Sequence, residues 1–281
     1  MTTEAASPGR EAERELPNVV EFRNVAKRFG ENTVIQDVTF TVSDRPDRGE
    51  FVSILGPSGC GKSTVLRLIA GLRPHHPPTT GEVLVTGAAV AGPGPDRGMV
   101  FQDYTSFDNR SVEDNVAFGL ECRGVPARER RERAREWIAR VGLDVTRDAR
   151  KYPAELSGGM RQRVAIARTL ILSPRIILMD EPFGALDPTT RLKMQELLID
   201  LWRDAQATVF FVTHSIEEAV YLGDRVYVFS SAPGTLIRQV EVPPSNCPPQ
   251  DMLHQPHFLG MVRELRATLE RLEAHVTDAV E

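Results

Sequence analysis

The feature that most constrains the fold of this chain is a glycine-rich segment between an apolar run and a helical pattern. Residues 56–64 read GPSGCGKST, which matches the pattern G-x-x-x-x-G-K-[ST]. The short apolar run 51–55 precedes this segment, and apolar residues recur with helical spacing over about 62–70. A strand, a tight loop and a helix in this order predict a loop that wraps around phosphate groups.

The residue types in this loop suit the binding of a nucleotide. Glycine lets the backbone turn tightly and direct its N–H groups at an anion. Lys62 can reach the β- and γ-phosphates, the Ser63 hydroxyl can bind Mg²⁺, and the next helix points its N-terminus at the anion. We expect Cys60 to be a small filler. The predicted nucleotide-binding residues are Gly56, Pro57, Ser58, Gly59, Cys60, Gly61, Lys62, Ser63 and Thr64.

Two adjacent carboxylates follow a second apolar run. Residues 175–181 read RIILMDE, a predicted strand that ends in Asp180 and Glu181. Parallel α/β sheets bind ligands at the carboxyl ends of their strands. We therefore expect Asp180 to hold Mg²⁺, through water, and Glu181 to position and polarise the attacking water. The simpler alternative is a buried strand that ends in a solvated acidic pair.

A second candidate anion site lies at residues 156–160, which read LSGGM before an apolar-periodic helix. The hydroxyl of Ser157 and the N–H groups of Gly158 and Gly159 stand at that helix start. Taken alone, the segment is equally typical of an ordinary cap, because serine is a favoured N-cap residue. The chain has one phosphate loop and one such segment.

Composition excludes several other classes. The 281 residues are 41% hydrophobic, and the net charge of −5 does not favour nucleic acid as the main partner. The three cysteines include no C-x-x-C pair, which fits a reducing compartment and gives no sign of a zinc site or a disulfide framework. No apolar run approaches the roughly 18–20 residues that span a bilayer.

The order of these motifs resembles that of the ATPase subunits of ATP-binding cassette (ABC) transporters. The phosphate loop, LSGG and LMDE are followed by GALD at 184–187 and by Thr213-His214, and the resemblance covers roughly residues 19–242. It implies an α/β fold with a P-loop NTPase core, a parallel sheet flanked by helices. An N-terminal antiparallel β subdomain and an α-helical signature subdomain, at about 103–157, complete the implied domain.

The flanks of this domain are predicted from composition and periodicity. Residues 1–18 are polar and acidic, and we interpret them as a disordered tail. Residues 243–281 are expected to form a Pro-rich linker and an amphipathic helix, because apolar residues recur at helical spacing between Phe258 and Leu272. We expect this helix to pack on its own domain, with a dimer contact or a regulatory role as the alternative.

The resemblance also implies roles for residues outside the phosphate loop. In this family, two nucleotide domains sandwich two ATP molecules, each between one phosphate loop and the partner's LSGG. By position, Gln102 matches the glutamine that approaches Mg²⁺ and the attacking water, and His214 matches the histidine that contacts the γ-phosphate. Asp187 matches the aspartate at the dimer seam, with a helix N-cap as its simpler reading. Phe29 matches the aromatic residue that stacks on adenine, with sheet packing as the alternative.

Three longer phrases narrow the resemblance to the importer ATPases for nitrate, sulfonate and taurine. They are LSGGMRQRVAIARTL at 156–170, DEPFGALDPTTR at 180–191 and SAPGTLIRQVEV at 231–242. The fifth signature residue, Met160, replaces the family glutamine. We expect this replacement to be tolerated, because Ser157 and the two glycines supply the phosphate contacts.

The function implied is that of an enzyme, an ATP-hydrolysing subunit with ATP and Mg²⁺ at its site. Its expected partners are a second copy, a separate membrane permease and, indirectly, a periplasmic or extracellular solute-binding protein, with no nucleic acid. It would lie at the cytoplasmic face of the inner membrane. Residues 102–125, including Tyr104 and Phe107, are the expected permease contact, with anchoring of these two aromatic rings in the core as the alternative.

The main alternative is an ABC ATPase that acts on nucleic acid or in translation. Chromosome-type members carry a long coiled coil between the phosphate loop and LSGG, and no heptads occur there in this chain. Translation-type members usually carry two cassettes, and this chain has one. A non-enzymatic scaffold is a third interpretation, although every catalytic position is filled.

Overall fold

A computed structural model describes residues 18–45, 48–103, 106–243 and 247–277. The strands are β1 Asn18–Phe29, β2 Asn32–Ser43, β3 Phe51–Leu55, β4 Thr80–Val85, β5 Ala88–Ala89, β6 Arg97–Val100, β7 Ile176–Asp180, β8 Thr208–Val212, β9 Arg225–Phe229 and β10 Leu236–Glu241. The predicted tail at 1–17 lies outside the described residues, and Asn18 already belongs to β1.

The helices lie between and after these strands. They are α1 Lys62–Ala70, α2 Val112–Cys122, α3 Ala127–Arg140, α4 Val145–Asp148, α5 Gly158–Leu170, α6 Pro188–Ala205, α7 Ile216–Leu222, α8 Pro249–Met252 and α9 Pro256–Thr277, with a short 3-10 turn at Pro153–Glu155. In the described part of the chain, no helix combines the length and the apolar composition needed to cross a membrane.

The strands form two sheets. Four strands make an antiparallel sheet in the order β2-β1-β4-β5, and six make a second sheet in the order β10-β9-β3-β8-β7-β6. Strands β9, β3, β8, β7 and β6 run parallel, and only the edge strand β10 is antiparallel in this sheet. The parallel sheet flanked by helices confirms the predicted fold class.

Three of the parallel strands are buried along their whole length. Every residue of β3, β7 and β8 is buried, because the sheet is covered on both faces. One face packs with the antiparallel sheet and α1, for example through Ile54 and Phe210. The other face packs with α5, α6 and α7, for example through Leu55 and Phe211. This arrangement brings the carboxyl ends of β3, β6, β7 and β8 to one edge.

The segment between β6 and β7 is helical, but it begins later than predicted. Helix α2 starts only at Val112, because the Asn115 side chain holds the preceding residues in turns. Its Oδ1 accepts the Phe107 amide at 2.8 Å, and its Nδ2 donates to the carbonyl oxygens of Phe107 and Arg110. Ala134, Trp137, Ile138 and Val141 recur at helical spacing, which predicts an amphipathic helix. Helix α3 confirms this prediction, since Ala134 and Ile138 are buried on one of its faces.

The predicted C-terminal amphipathic helix is also present. Helix α9 lies against α7 and buries Phe258, Val262 and Leu265 in the main core. Arg266 on its outer side pairs with Glu217 of α7 at 2.8 Å. Within the chain, α9 is thus joined to α7, the helix that follows His214.

A buried carboxylate at the end of α4 gives a test of the stability of the helical region. Asp148 accepts hydrogen bonds from Arg147 Nε at 3.0 Å, from Lys151 Nζ at 2.7 Å and from the Asp144 amide at 3.1 Å. These hydrogen bonds lower the pKa of Asp148 well below its usual range, and the hydrogen bond from Arg147 has the largest effect. The carboxylate is therefore stabilised in its charged form.

We predict that Asp148→Asn lowers the free energy of unfolding at pH 7 by about 1–3 kcal/mol, because its hydrogen-bond donors lose a buried, charged acceptor. The lowered pKa means that the stabilisation is complete above the unfolded pKa of about 3.9 and is lost as the pH falls through the folded value. Urea unfolding between pH 7 and pH 3 should therefore show the wild-type advantage shrinking below about pH 4. The exposed Asp200 of α6 supplies the control variant Asp200→Asn, and equal stability of Asp148→Asn and wild type at pH 7 would contradict the prediction.

Candidate nucleotide-binding site

The loop between β3 and α1 closes on its own lysine. Lys62 is buried, and its Nζ donates to the carbonyl oxygens of Gly56 and Pro57, each at 2.8 Å. Gly59 and Gly61 adopt positive φ angles of 78° and 95°, which L-residues rarely adopt. The sequence pattern therefore folds into a tight loop with a buried ammonium group at the start of α1.

The first carboxylate of the predicted pair is held against this loop. Asp180 Oδ1 accepts the Ser63 hydroxyl at 2.7 Å, and Asp180 Oδ2 lies 3.5 Å from Arg67 Nη2. Burial raises the pKa of Asp180, and the Ser63 hydrogen bond and the charge of Arg67 oppose that shift. A hydroxyl and a carboxylate oxygen side by side fit Mg²⁺, which binds one or two protein carboxylates together with substrate phosphates.

The second carboxylate faces away from the first. Glu181 has a φ of 45°, a conformation that is strained for a residue with a side chain and that is common at functional sites. Its amide donates to the Val212 carbonyl at 3.0 Å, and Gly184 donates to its carbonyl at 3.2 Å. The turn directs the carboxylate to Gln102 and His214.

Three predicted catalytic residues meet at one oxygen atom. Glu181 Oε2 accepts from Gln102 Nε2 at 3.4 Å and lies 3.3 Å from His214 Nδ1. Glu181 is partly exposed and His214 more so, so both are accessible from the edge of the sheet. The structure thus brings Gln102, Glu181 and His214 together, next to the Ser63–Asp180 pair.

The structure does not bring the LSGG segment to the loop of the same chain. In the described ranges, no hydrogen bond joins 157–159 to 56–64. Ser157 is exposed and caps α5, accepting the Met160 amide at 3.3 Å. Asp187 is also exposed and caps α6, accepting the Thr190 amide at 3.0 Å. Both residues therefore act as helix N-caps, the simpler of the two roles expected from the sequence, and both are exposed.

Phe29 lies at the end of β1 with polar neighbours as well as sheet contacts. Its ring centroid is 5.2 Å from that of His75, edge to face, and 5.1 Å from Lys27 Nζ. Burial lowers the pKa of His75, and the charges of Arg67 and Lys27 add to this effect. A neutral imidazole therefore lies beside the ring that is predicted to stack on adenine.

Three contributors to the site were not predicted. Arg67 reaches both Asp180 Oδ2 and His75 Nε2, at 3.5 Å and 3.3 Å. The only sequence signal for it is its position four residues after Ser63 on α1, which places both side chains on one helix face. His75 gives no such signal, because it lies in a Pro-rich loop that local patterns do not place.

The third missed contributor is Gly234, in the turn between β9 and β10. Its amide donates to the Val34 carbonyl at 2.9 Å, and a Cβ at this residue would lie 1.9 Å from the Cys60 carbonyl oxygen. Cys60 itself is fully buried and burial raises the pKa of its thiol, as expected for a filler. The Pro233-Gly234 dipeptide signals a turn but not its contact with residue 60.

A family model described as ABC transporter matches residues 35–184, which include the loop at 56–64, Gln102, the segment 157–159 and the acidic pair. The chain belongs to the ABC transporter family. The predicted resemblance is thus confirmed.

Three relatives carry the names of import ATP-binding proteins. The chain is 46% identical to the nitrate import ATP-binding protein NrtD of Synechocystis sp. over 240 residues, 83% of this chain and 88% of that protein. It is 46% identical to the taurine import ATP-binding protein TauB of Rhizobium johnstonii over 254 residues, 88% and 94% of the two chains. It is 39% identical to the aliphatic sulfonates import ATP-binding protein SsuB of Bacillus cereus over 222 residues, 79% and 85%.

A solved structure supports the fold. It is the dimeric structure of a post-hydrolysis state of an ATP-binding cassette bound to ADP and Pi. The TM-score is 0.67 at 35% sequence identity, and the alignment covers 80% of this chain and all of that one. The sheet and helices described here therefore have the arrangement of an ABC ATPase.

The contact between Gly234 and the phosphate loop predicts that Gly234→Ala weakens nucleotide binding about tenfold, because overpacking at the Cys60 carbonyl costs roughly 1–3 kcal/mol. Titration with a fluorescent ATP analogue measures the affinity. Lys62→Ala, which removes a charged contact worth roughly 1.5–3 kcal/mol, is the reference for a disrupted site.

Gly92→Ala is the matched control for this test, since a Cβ at Gly92 would meet nothing within 4 Å. We expect its affinity to equal that of the wild type. If Gly234→Ala also bound nucleotide with unchanged affinity, the turn at residue 234 would have no influence on the loop.

Proposed function

We propose that this chain is the Mg²⁺-dependent ATPase subunit of an importer for a small solute of the nitrate, sulfonate or taurine class. The observation that carries the proposal is the meeting of Gln102 and His214 at the Glu181 carboxylate, beside the Ser63–Asp180 pair. The names of the relatives supply the solute class and favour transport over a function on nucleic acid.

The residues of the loop and the sheet edge divide the work of hydrolysis. The backbone N–H groups of 56–64 and the Lys62 ammonium bind the phosphates of ATP. Ser63 and Asp180 would hold Mg²⁺, with Gln102 nearby, and a bound magnesium ion neutralises charge on the phosphates. Phe29 offers a ring for stacking with adenine.

Glu181 positions and polarises the water that attacks the γ-phosphate, giving ADP and inorganic phosphate. Gln102 and His214 orient its carboxylate through Oε2, which leaves the carboxylate in one rotamer rather than several. His214 is placed to contact the γ-phosphate as well. Preorganised groups of this kind act without rearrangement at the moment of reaction.

The site requires a second copy of the chain. Ser157, Gly158 and Gly159 lie at the N-terminus of the 13-residue helix α5, where backbone N–H groups favour an anion, and Ser157 and Asp187 are exposed. We propose that each ATP binds between residues 56–64 of one copy and residues 157–159 of the other. The dimeric state of the structural relative supports this arrangement.

The permease contact is proposed at a groove beside Gln102. A cavity of about 410 Å³ is lined by Phe101, Phe107, Phe118, Leu172 and neighbouring residues. Phe107 is 38% exposed, and its ring centroid is 4.4 Å from that of Phe118. Arg168 Cζ lies 5.4 Å from the centroid of the Phe107 ring. Such a groove fits a short helix of a membrane subunit. Tyr104 lies outside the described residues.

In this arrangement the chain is held at the cytoplasmic face of the inner membrane by the permease. A periplasmic or extracellular solute-binding protein would deliver the solute to the other side of that permease. Closure of the two copies on ATP would move the segment after Gln102 and so act on the permease.

The role of Glu181 predicts that Glu181→Gln lowers ATP turnover by about 100-fold or more, because the positioned carboxylate is lost. ATP binding should persist, and gel filtration with Mg-ATP should show an accumulated dimer. Lys62→Ala is the control that should form no such dimer. An ATP-loaded monomer of Glu181→Gln would contradict the two-copy site.

The proposed groove predicts that Phe107→Ala reduces transport and permease co-purification far more than it reduces ATP turnover, because an apolar contact of the partner is removed. Solute uptake by reconstituted vesicles measures transport, and pull-down yield measures permease co-purification. Ile237→Ala, which truncates an exposed apolar residue on β10, is the control. Wild-type transport and yield with Phe107→Ala would rule the groove out.

A further inference from the structure

A buried carboxylate lies behind the catalytic edge of the sheet. Glu218 of α7 is buried, and its Oε2 accepts the Thr213 hydroxyl at 2.6 Å. Its Oε1 accepts from Gln195 Nε2 at 3.3 Å and lies 3.6 Å from Arg191 Nε. Burial raises the pKa of Glu218, and the Thr213 hydrogen bond and the charge of Arg191 oppose that shift. A buried carboxyl group is tolerated because it has these partners.

On one side, Glu218 holds the residues that flank His214. The Thr213 hydroxyl, which donates to Glu218, accepts the Ser215 amide at 3.0 Å. The Ser215 hydroxyl in turn accepts the Glu218 amide at 3.2 Å. Both the side chain and the backbone of Glu218 therefore fix residues 213–215, with His214 between them.

On the other side, Glu218 reaches the turn that precedes α6. Arg191 Nη2 donates to the Leu186 carbonyl at 3.1 Å, and the Arg191 amide donates to the Asp187 carbonyl at 2.9 Å. Gln195 lies one helical turn further along the same helix. The partners of Glu218 on this side thus hold the backbone at Leu186 and Asp187.

We propose that Glu218 is a positioning residue that couples the turn at residues 184–187 to His214. This proposal rests on the proposed function, in which Asp187 faces the second copy and His214 contacts the γ-phosphate. Approach of the second copy at Asp187 shifts α6 and its Arg191 and Gln195 side chains, and Glu218 passes that shift to residues 213–215. The contact of His214 with the γ-phosphate then depends on whether the two copies have closed.

The first test is kinetic. Glu218→Gln keeps the shape but not the charge, and we expect kcat for ATP to fall about tenfold or more while KM stays within about twofold, as for a group that acts on the transition state. Thr213→Val should lower kcat similarly, and Thr213→Ser, which keeps the hydroxyl, should restore it. A change in KM alone, or equal activity of Thr213→Val and Thr213→Ser, would overturn the proposal.

Glu217→Gln is the matched control. Glu217 is the preceding residue of α7, contacts the Ser215 hydroxyl at 3.1 Å and pairs with Arg266 of α9. We expect its kcat to equal that of the wild type. A tenfold loss in Glu217→Gln would show that any charge removed from this helix start has the same effect.

The second test needs no catalysis. Hydrogen exchange of the full chain should show both the 184–190 and the 213–219 peptides of Glu218→Gln exchanging at least about threefold faster than in the wild type, with β9 unchanged. Arg191→Met should speed exchange in the 213–219 peptide, and Thr213→Val should speed exchange in the 184–190 peptide. In each case the effect appears on the side of the Glu218 carboxylate opposite to the substitution. Effects confined to the mutated side would refute the coupling, even if Glu218→Gln itself folded poorly.

The two tests separate the two proposals. A folded wild type with no Mg-ATP turnover would refute the proposed function, and the exchange data would still decide whether the two segments are linked. Normal turnover in the wild type and in Glu218→Gln would refute the positioning role alone.

Discussion

Close backbone contact at residues 56–61 is the constraint on which the rest of the site depends. A Cβ at Gly61 would lie 2.5 Å from Ile35 Cγ2, and one at Gly234 would lie 1.9 Å from the Cys60 carbonyl oxygen. The loop is therefore fixed from two sides, by β2 of the antiparallel sheet and by the turn after β9. Because the loop is fixed, α1 starts at one place and presents Lys62 and Ser63 to the edge of the sheet.

The division of roles between Asp180 and Glu181 follows from one backbone turn. Asp180 is still part of buried β7 and is held by Ser63 of α1. Glu181 leaves the strand with a φ of 45°, so that its carboxylate turns to Gln102 and His214. Two neighbouring residues of the same charge thus reach different surroundings, one suited to a metal ion and one to a water molecule.

The exposed caps let one chain fold by itself and, in the proposed dimer, share each site with a second copy. Ser157 and Asp187 stabilise α5 and α6 through their own side chains, so these helices need no partner in order to form. Their helix ends nevertheless face outward, away from the loop of the same chain. The proposed second copy would use these ends, and the Glu218 contacts give a physical route from such an end to His214.

The sequence by itself determined the local units of this protein. The apolar runs of β3, β7 and β8, the glycine pattern at 56–64 and the spacing of Ala134 and Ile138 each depend on residues close in the chain. Only the tertiary structure decided which distant residues meet, as Arg67 meets Asp180, Gly234 meets Cys60 and Arg191 meets Glu218. The physical reason is that these contacts depend on the strand order β9-β3-β8-β7-β6 and on helix packing across it, which a local pattern of residues does not specify.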